Sequence, residues 1–386
     1  MDKRVYMLTM IAFVVGMSEL IVGGILDLIS QDLHIRISSA GLLITVFAFV
    51  FALAAPVLLV VFSEVERTKL ISLALMVFIV GNMVAVFSQT FTFLLISRII
   101  SAASGSVAVV LSINLASRVT APAYRGRAIG LVVMGISGSL VLGLPIGVFL
   151  GNSINWRAPF VLIAFLAVLL LFGIKLTLTK IEPTQIVSLS EQLKTLKNKR
   201  ILLAHATTFF FLAGHFTFYG YLTPYAKEVL QFDGLTISLL YLLYGIAAVS
   251  GGGLAGLATD RFGNRRTLLL SIIILAISLF AIPYTTNTII LFWLFVIFWG
   301  IVSWAITPPV QSHLFAIAVE TSDIQQSLNN AALQLGIAFG TLFGSFIIER
   351  RSITETAHFG IIFVALSLVA ALLTMRGSTD LKEVEM

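Results

Sequence analysis

Cysteine is absent from this 386-residue chain, and charged residues make up only 11% of it. The lack of cysteine excludes disulfides, thiolate nucleophiles and cysteine-ligated metals. The shortage of charge excludes an ordinary soluble domain, in which about a quarter of the residues are charged. Hydrophobic residues instead reach 59%, and the mean hydropathy is +1.05. One soluble core cannot hide so much apolar surface, so we expect the chain to lie in a lipid bilayer.

Long apolar runs are what the sequence has in abundance. A membrane-spanning helix needs about 20 mostly apolar residues, and twelve runs meet this requirement. The runs are Val5–Ile29, Ala40–Phe62, Leu70–Ser88, Phe91–Leu115, Ala128–Gly151, Ala158–Leu178, Ile201–Tyr225, Ile237–Thr259, Thr267–Tyr284, Ile289–Val319, Ile324–Ile348 and Ala357–Met375. The first run is too long for a signal-peptide core and lacks a small-residue cleavage site, so we expect it to be retained. The pattern predicts an all-α membrane protein with twelve transmembrane helices.

The basic residues orient these spans. With the N-terminus inside, 18 of the 24 Lys and Arg residues fall in cytoplasmic segments and 5 fall outside, while Arg98 lies within a span. Lys and Arg mark the cytoplasmic side of a membrane protein. Both termini are therefore predicted to be cytoplasmic, in a multi-pass protein of the cell membrane. Because the basic residues occupy short loops, the net charge of +6 does not indicate a nucleic-acid partner.

Six spans precede and six follow a polar segment, which divides the chain into two halves. The predicted parts are a six-helix bundle at 1–178, a cytoplasmic linker at 179–200, a second six-helix bundle at 201–376 and a cytoplasmic tail at 377–386. In the linker, Ser188 and Glu191 have the spacing of a capping box. The linker is either a short amphipathic helix on the membrane surface or a solvated connection. The short loops leave no folded soluble domain, so the expected partners are a small-molecule solute and membrane lipids, with a monomeric chain.

A glycine, aspartate and arginine pattern follows the eighth span. Its members are Gly256, Asp260, Arg261, Gly263 and Arg265. The pattern resembles the loop motif G-x-x-x-D-R-x-G-x-R-R of the major facilitator superfamily, in the place where that family uses it. The corresponding loop after the second span, 63–69, is a degenerate copy without the glycines and the aspartate. The resemblance implies two pseudo-symmetric halves and a conformational, gating role for the motif residues.

A second resemblance concerns the fifth span, where Gly143, Pro145 and Gly147 fall close together. They resemble the fifth-span motif of the drug:proton antiporter group, which marks efflux pumps, although Leu144 separates the usual Gly–Pro pair. This variant, the run that begins at Glu19 and the segment 322–327 look like the branch of purine base and nucleoside pumps, which also includes arabinose-type sugar efflux permeases. The resemblance implies export driven by a proton gradient, without a bound cofactor. It favours purines as solutes and leaves sugars or amphipathic drugs as alternatives.

Two charged residues, Glu19 and Arg98, lie inside the predicted spans. Charges at mid-membrane cost a few kcal/mol or more, so they are usually functional. Helical rise places both residues roughly 20 Å from the inner face, so an acid and a base from two spans are expected to meet. We interpret Glu19 as the proton-coupling carboxylate and Arg98 as its partner. The alternative is a fixed ion pair that only sets helix packing.

The candidate solute site combines aromatic and carboxamide side chains. Its predicted members are His215, Tyr219, Trp299, Asn330 and Gln334. Aromatic rings can stack on a purine, and an amide presents a donor and an acceptor to its edge. The same residues also suit a sugar or a drug, and aromatic residues in membrane bundles often serve packing alone.

Two other classes of function compete with coupled transport. An intramembrane enzyme would need a nucleophile–base set or a metal-ligand spacing such as H-E-x-x-H, and the histidines lack an acid at such a spacing. We therefore predict no catalytic or metal-binding residues. A passive facilitator would need no titrating carboxylate, and an imposed proton gradient distinguishes it from an antiporter.

Overall fold

The computed structural model describes residues 2–183 and 189–375, and within these ranges the regular structure is helical. Ser188 of the predicted capping box and the predicted tail at 377–386 lie outside the described residues. The helices before the linker are α1 (Lys3–Gly24), α2 (Leu26–Asp32), α3 (Ile37–Val61), α4 (Arg67–Phe87), α5 (Phe91–Arg118), α6 (Arg125–Gly138), α7 (Leu144–Ser153) and α8 (Ala158–Thr177). From the linker onward they are α9 (Leu189–Lys194), α10 (Lys199–Tyr219), α11 (Leu222–Glu228), α12 (Gly234–Phe262), α13 (Asn264–Ala281), α14 (Ile289–Ser303), α15 (Thr307–Ile317), α16 (Ser322–Arg350) and α17 (Thr356–Thr374).

Twelve helical stretches in the described part of the chain are long and apolar enough to cross a membrane, which confirms the predicted number of spans. Three of the spans consist of two helices. Span five joins α6 to α7 through a π-helical turn, Ser139–Gly143. Pro145 explains this turn, because proline lacks an N–H group and its ring clashes with the carbonyl one turn earlier.

The other two divided spans are seven and ten. Span seven breaks between α10 and α11, and span ten breaks between α14 and α15. The second break comes just before Pro308 and Pro309, which lie in the first turn of α15. Proline is well tolerated there, since the first helical N–H groups have no partner within the helix. The two prolines therefore account for the division of span ten into two helices.

The chain forms two compact units. Unit 1 comprises Met1–Val187 together with Gly220–Gly245, and unit 2 comprises Ser188–Tyr219 together with Ile246–Met386. The unit boundaries therefore differ from the boundaries of the two sequence halves. The segment Gly220–Gly245, which contains α11 and the first part of α12, packs within unit 1 although it follows the linker.

Small residues bring α1 close to span five in unit 1. A methyl group at Gly147 would overlap the side chain of Ile21, and one at Gly143 would lie 3.1 Å from Met17 Cβ. A methyl group at Gly16 would in turn overlap Ser139. The motif glycines Gly143 and Gly147 thus lie where the two helices pack closely, and a side chain at either position would displace a neighbouring residue of α1.

In unit 2, α10 packs against α16 and α17. Gly336 and Gly340 on α16 lie against backbone carbonyls of α10, so a side chain at either position would overlap the Phe209 or Ala213 carbonyl oxygen. Span eleven therefore packs closely on span seven along these two glycines. Because two helices cover α10, its middle is deeply buried, which positions the candidate site described below.

The described part of the linker contains the short α-helix α9, which a 3₁₀ turn at Thr195–Lys197 follows. The side chain of Leu193 is exposed there, whereas Gln192 is buried. The start of the linker belongs to unit 1, where Thr68 Oγ1 donates a hydrogen bond to the Thr179 carbonyl at 2.8 Å. A position of α9 on the membrane surface remains a prediction.

Candidate functional site

Arg98 is the most deeply buried charged residue of unit 1, with 1% of its surface exposed. It projects from α5, and its Nη1 donates a hydrogen bond to the Ser18 carbonyl of α1 at 2.8 Å. Longer contacts of 3.5 Å connect Nη2 to the Glu19 carbonyl and Nε to the Leu43 carbonyl. The guanidinium carbon lies 4.0 Å from the centre of the Phe47 ring. Arg98 therefore holds α1, α3 and α5 together with carbonyl bonds and a cation–π contact.

Glu19 lies beside this arginine, as its predicted depth requires. Its side chain is partly exposed, and its charge interacts electrostatically with Arg98. The role of Glu19 as a coupling carboxylate remains a prediction, as does the alternative of a fixed ion pair with Arg98.

Two polar residues that the sequence analysis did not select complete this region. Ser18 Oγ donates a hydrogen bond to Asn82 Oδ1 at 3.4 Å, and Asn82 Nδ2 donates to the Phe78 carbonyl at 2.8 Å. Both side chains are buried, at 0% and 1% exposure. Asn82 could have been selected from the sequence, because a polar residue in the middle of an apolar run, here the third, indicates a functional or structural contact.

The predicted aromatic residues of the solute site come together in unit 2. Trp299 Nε1 donates a hydrogen bond to His215 Nδ1 at 3.0 Å. The His215 ring stacks on Tyr219 with ring centres 5.1 Å apart, and Phe218 lies 5.2 Å from Trp299. Since an indole N–H only donates, His215 Nδ1 accepts and the imidazole is the neutral tautomer protonated at Nε2. The centre of unit 2 is therefore aromatic and uncharged.

The predicted carboxamides do not share one environment. Gln334 is buried, but Asn330 is exposed. An exposed amide within a membrane span is expected to face water rather than lipid, because lipid contact would leave it without hydrogen bonds. Asn330 therefore remains a candidate for solute contact, whereas its neighbour Asn329 points into the unit.

A buried polar cluster on α10 and α16 was not selected as a site from the sequence. His205 Nε2 lies 3.0 Å from Gln325 Oε1, and Thr208 Oγ1 donates a hydrogen bond to Asn329 Oδ1 at 2.8 Å. All four side chains are less than 5% exposed. His205 and Thr208 were recognisable as a polar stripe on span seven, but only the packing of α16 brings the two amides to them.

The position of Asp27 near the outer end of the first predicted span favours a solvated residue at the rim of the membrane. The structure shows that this expectation is wrong. Asp27 is 4% exposed, and its Oδ2 lies 2.6 Å from Lys227 Nζ. The solvated carboxylate of this region is instead Asp32, which accepts hydrogen bonds of 2.8 Å from Trp156 Nε1 and Arg157 Nη1. These two bonds, led by the one from Trp156, lower the pKa of Asp32 below its ordinary value.

The predicted gating motif forms the junction of α12 and α13. Asp260, Arg261 and Arg265 are exposed, and Gly256 has open space beside it. Gly263 precedes α13 with a φ of 82°, a conformation that glycine adopts without steric cost. In the degenerate copy at 63–69 of unit 1, by contrast, Arg67 is buried and donates a hydrogen bond to the Ser63 carbonyl at 3.1 Å. The gating role of the motif remains a prediction.

With this geometry established, comparison with known proteins identifies the family. The family model described as Major Facilitator Superfamily matches residues 8–341 and 224–384. The chain belongs to the major facilitator superfamily. It is therefore a multi-pass membrane transporter of small-molecule solutes rather than an enzyme.

Curated relatives of the superfamily match nearly the full chain. One is the uncharacterized MFS-type transporter YbcL of Bacillus subtilis (strain 168), which is 32% identical over 96% of this chain and 95% of its own length. Another is a probable sugar efflux transporter of Helicobacter acinonychis (strain Sheeba), which is 26% identical over 95% of this chain and 93% of its own length.

Solved structures confirm the fold. The chain is similar to a D-xylose–proton symporter, with a TM-score of 0.77, 16% identity and coverage of 96% of both chains. It is equally similar to a bacterial homologue of the human lysosomal transporter Spinster, with a TM-score of 0.77, 17% identity and coverage of 96% of both chains. At these identities the likeness concerns the fold alone, and it confirms the predicted major facilitator architecture.

Proposed function

We propose that this superfamily member is a proton-coupled exporter that works by alternating access, with protons entering as solute leaves. The observation that carries this proposal is the placement of Glu19, a partly exposed carboxylate within a span, beside an arginine anchored on carbonyl oxygens. Such a carboxylate can exchange its proton without the collapse of the surrounding helix packing. In the proposed cycle, 1–178 rocks against 201–376 while both termini face the cytoplasm.

The test uses the purified chain in liposomes with an imposed proton gradient. Replacing Glu19 with glutamine removes the titrating group and keeps the shape of the side chain. We expect gradient-driven transport to be lost, while solute exchange at equal pH on both sides persists, since exchange requires no net proton movement. Gradient-driven export that survives in Glu19→Gln would overturn the coupling role.

A matched control is Glu64→Gln, which removes an exposed carboxylate from the loop after the second span. This variant should behave like the parent chain in both assays. A parent chain whose export rate ignores the proton gradient at a fixed solute gradient would instead be a passive facilitator.

For the solute we propose purine bases and nucleosides, on the strength of the aromatic cluster around His215 and Trp299. Stacking between rings and a purine requires at least one of these ring faces to be uncovered. Trp299 is fully buried in this structure and His215 nearly so, so the proposal requires a second conformation in which the cluster opens.

Sugars are the second candidate, favoured by the relative named a probable sugar efflux transporter. The exposed amide of Asn330 suits sugar hydroxyls as well as it suits a purine edge. Export of radiolabelled adenine, adenosine, arabinose and a cationic dye from a host without the gene would separate the two classes. Competition of unlabelled arabinose, but not adenine, would reject the purine proposal.

A further inference from the structure

Two histidines of α10 lie in opposite hydrogen-bonding environments. His215 Nδ1 accepts from the Trp299 indole at 3.0 Å, so a proton bound at that nitrogen would break the bond. His205 lies one row of three turns nearer the linker, about 15 Å along the helix. Its ring nitrogens both face oxygen atoms, with Nε2 at 3.0 Å from Gln325 Oε1 and Nδ1 at 3.5 Å from Asn329 Oδ1. The surroundings of His215 thus require the neutral ring, whereas those of His205 offer an acceptor on each side.

Neighbouring contacts set the orientation of both amides. Gln325 Nε2 donates a hydrogen bond to Thr321 Oγ1 at 3.2 Å, which turns Oε1 towards the imidazole. Asn329 Oδ1 accepts a hydrogen bond from Thr208 Oγ1 at 2.8 Å, and the same oxygen faces the Nδ1 atom of His205. An amide oxygen only accepts, and only the imidazolium form of histidine donates from both nitrogens. A neutral ring protonated at Nε2 brings two lone pairs together at Nδ1, which agrees with the longer contact there.

A polar cavity lies beside this cluster, at the end of unit 2 where the linker enters. We call it the linker-side cavity; its volume is about 410 Å³. Its polar lining residues are Lys194, Thr195, Asn198, Glu320 and Thr321. Because the Thr321 hydroxyl bonds to Gln325, one amide side chain separates the cavity from His205. His205 also lies only about 9 Å along α10 from its first residue, so a charge on it avoids the cost of the bilayer centre.

The other charged and titratable groups around this end of α10 do not pair with His205. Those on α10 and on the elements packed against it include Lys197, Lys199, Arg200, Arg265, Arg266, His313 and Glu320. His313 Nε2 instead contacts Thr374 Oγ1 at 3.1 Å. Among the described residues, no charged side chain acts electrostatically on His205. An added proton is therefore stabilised chiefly by the two amide oxygens.

We propose that His205 is a proton-binding site of unit 2, in which the Gln325 and Asn329 amide oxygens hold the imidazolium and the proton is exchanged with the linker-side cavity. The added proton binds at Nδ1 and donates to Asn329 Oδ1, so α10 and α16 gain a hydrogen bond when the ring is charged. The neutral ring keeps only the bond to Gln325. The site is separate from Glu19, and the proposal depends neither on export nor on the identity of the solute.

Nitrogen NMR of the full chain in lipid bilayers, with isotope-labelled histidine, distinguishes the neutral ring from the imidazolium. The His205→Gln variant identifies the signal of His205 by its loss, and His215→Gln identifies that of His215. We expect His205 to change from the neutral to the doubly protonated form between about pH 8 and pH 5, while His215 stays neutral throughout. A His205 ring that is still neutral at the lower limit would overturn the proposal.

Substitutions of the amide test the geometry. Gln325→Glu places a carboxylate at Nε2 and should raise the titration midpoint of His205 by about one pH unit or more, whereas Gln325→Leu removes the acceptor and should lower it. His313→Gln is the matched control, because it removes another buried histidine of unit 2 that bonds outside the cluster. Its midpoint should equal that of the parent. An unchanged His215 signal verifies the fold of each variant, and equal midpoints in both Gln325 variants would refute the role of the amide.

The route through the linker-side cavity is tested by the exchange of the imidazole N–H groups with water. Ala318 lines the cavity, so Ala318→Trp should fill part of it and slow this exchange without moving the midpoint. Exchange at the parent rate would contradict the route. Because none of these measurements involves transport, their outcome is independent of the Glu19→Gln test.

Discussion

The two units place different chemistry in the middle of their helices. Unit 1 buries a guanidinium, Arg98, against backbone carbonyls and beside the carboxylate of Glu19. Unit 2 buries a neutral imidazole, His215, against the Trp299 indole. The two compact units thus differ in whether a charged side chain lies in the middle of their helices. We infer that unit 1 is suited to proton coupling and unit 2 to the recognition of an uncharged ring.

The largest effect is expected at Arg98, because its loss would leave Glu19 without its cationic neighbour. Arg98→Met should reduce gradient-driven export at least about 100-fold and lower the free energy of unfolding by about 3 kcal/mol. Export in liposomes and thermal unfolding in detergent measure the two effects. Arg118→Met is the control, since Arg118 lies at the exposed end of the same helix and donates to the Glu182 carbonyl. Equal losses in both variants would contradict a special role for the charged centre.

A smaller effect is expected at Trp299, on the uncharged side of the comparison. Trp299→Phe keeps an aromatic ring but removes the hydrogen-bond donor to His215. Because the buried Nδ1 then lacks this donor, the free energy of unfolding should fall by about 1–3 kcal/mol. We expect a higher KM for the solute with an unchanged pH dependence of export. Trp293→Phe on the same helix, where the ring is only half-buried, should have little effect. A shifted pH profile in Trp299→Phe would mean that unit 2 also takes part in proton coupling.

In the loop motif of unit 2, substitution of a glycine should change the free energy of unfolding through the conformation of the backbone. Gly263→Ala places a side chain at a φ of 82° and a ψ of 160°, a region that is essentially restricted to glycine, and should lower the free energy of unfolding by about 1–3 kcal/mol. Gly256→Ala lies within α12 in open space and should be neutral or slightly stabilising. Thermal midpoints of the two variants measure the difference. A midpoint for Gly263→Ala at or above that of Gly256→Ala would show that this junction relaxes freely.

The smallest effect concerns pH and the solvated carboxylate of unit 1. Hydrogen bonds from Trp156 and Arg157 lower the pKa of Asp32, so its contribution to stability is full above the ordinary pKa of aspartate. The contribution is lost as the pH falls through the lowered pKa of the folded state. Because the side chain is 47% exposed, we expect less than about 1 kcal/mol. Thermal midpoints between pH 3 and 7 should fall less steeply in Asp32→Asn, and identical slopes would contradict the assignment.

The spans could be predicted from the sequence because the lipid interior requires long apolar helices, in which each backbone N–H and C=O group forms a hydrogen bond within the same helix. The meeting of Glu19 and Arg98 was also predictable, since helical rise fixes depth along a span. Depth does not fix which face of a helix a neighbour covers. For this reason the sequence could not show that Asn330 is exposed whereas its neighbour Asn329 contacts Thr208 inside the unit.

The scarcity of charge and the long apolar runs thus determined the solvent of this protein, its class and the rarity of groups able to titrate within it, and the absence of cysteine excluded thiol chemistry. Composition and span length suffice for these conclusions because the bilayer imposes the same constraint on every helix. Tertiary structure alone decided that Asp27 is buried against Lys227, and that Gly220–Gly245 packs within unit 1. Such pairings depend on side-chain contacts between residues 200 positions apart in the chain, a separation that no local pattern encodes.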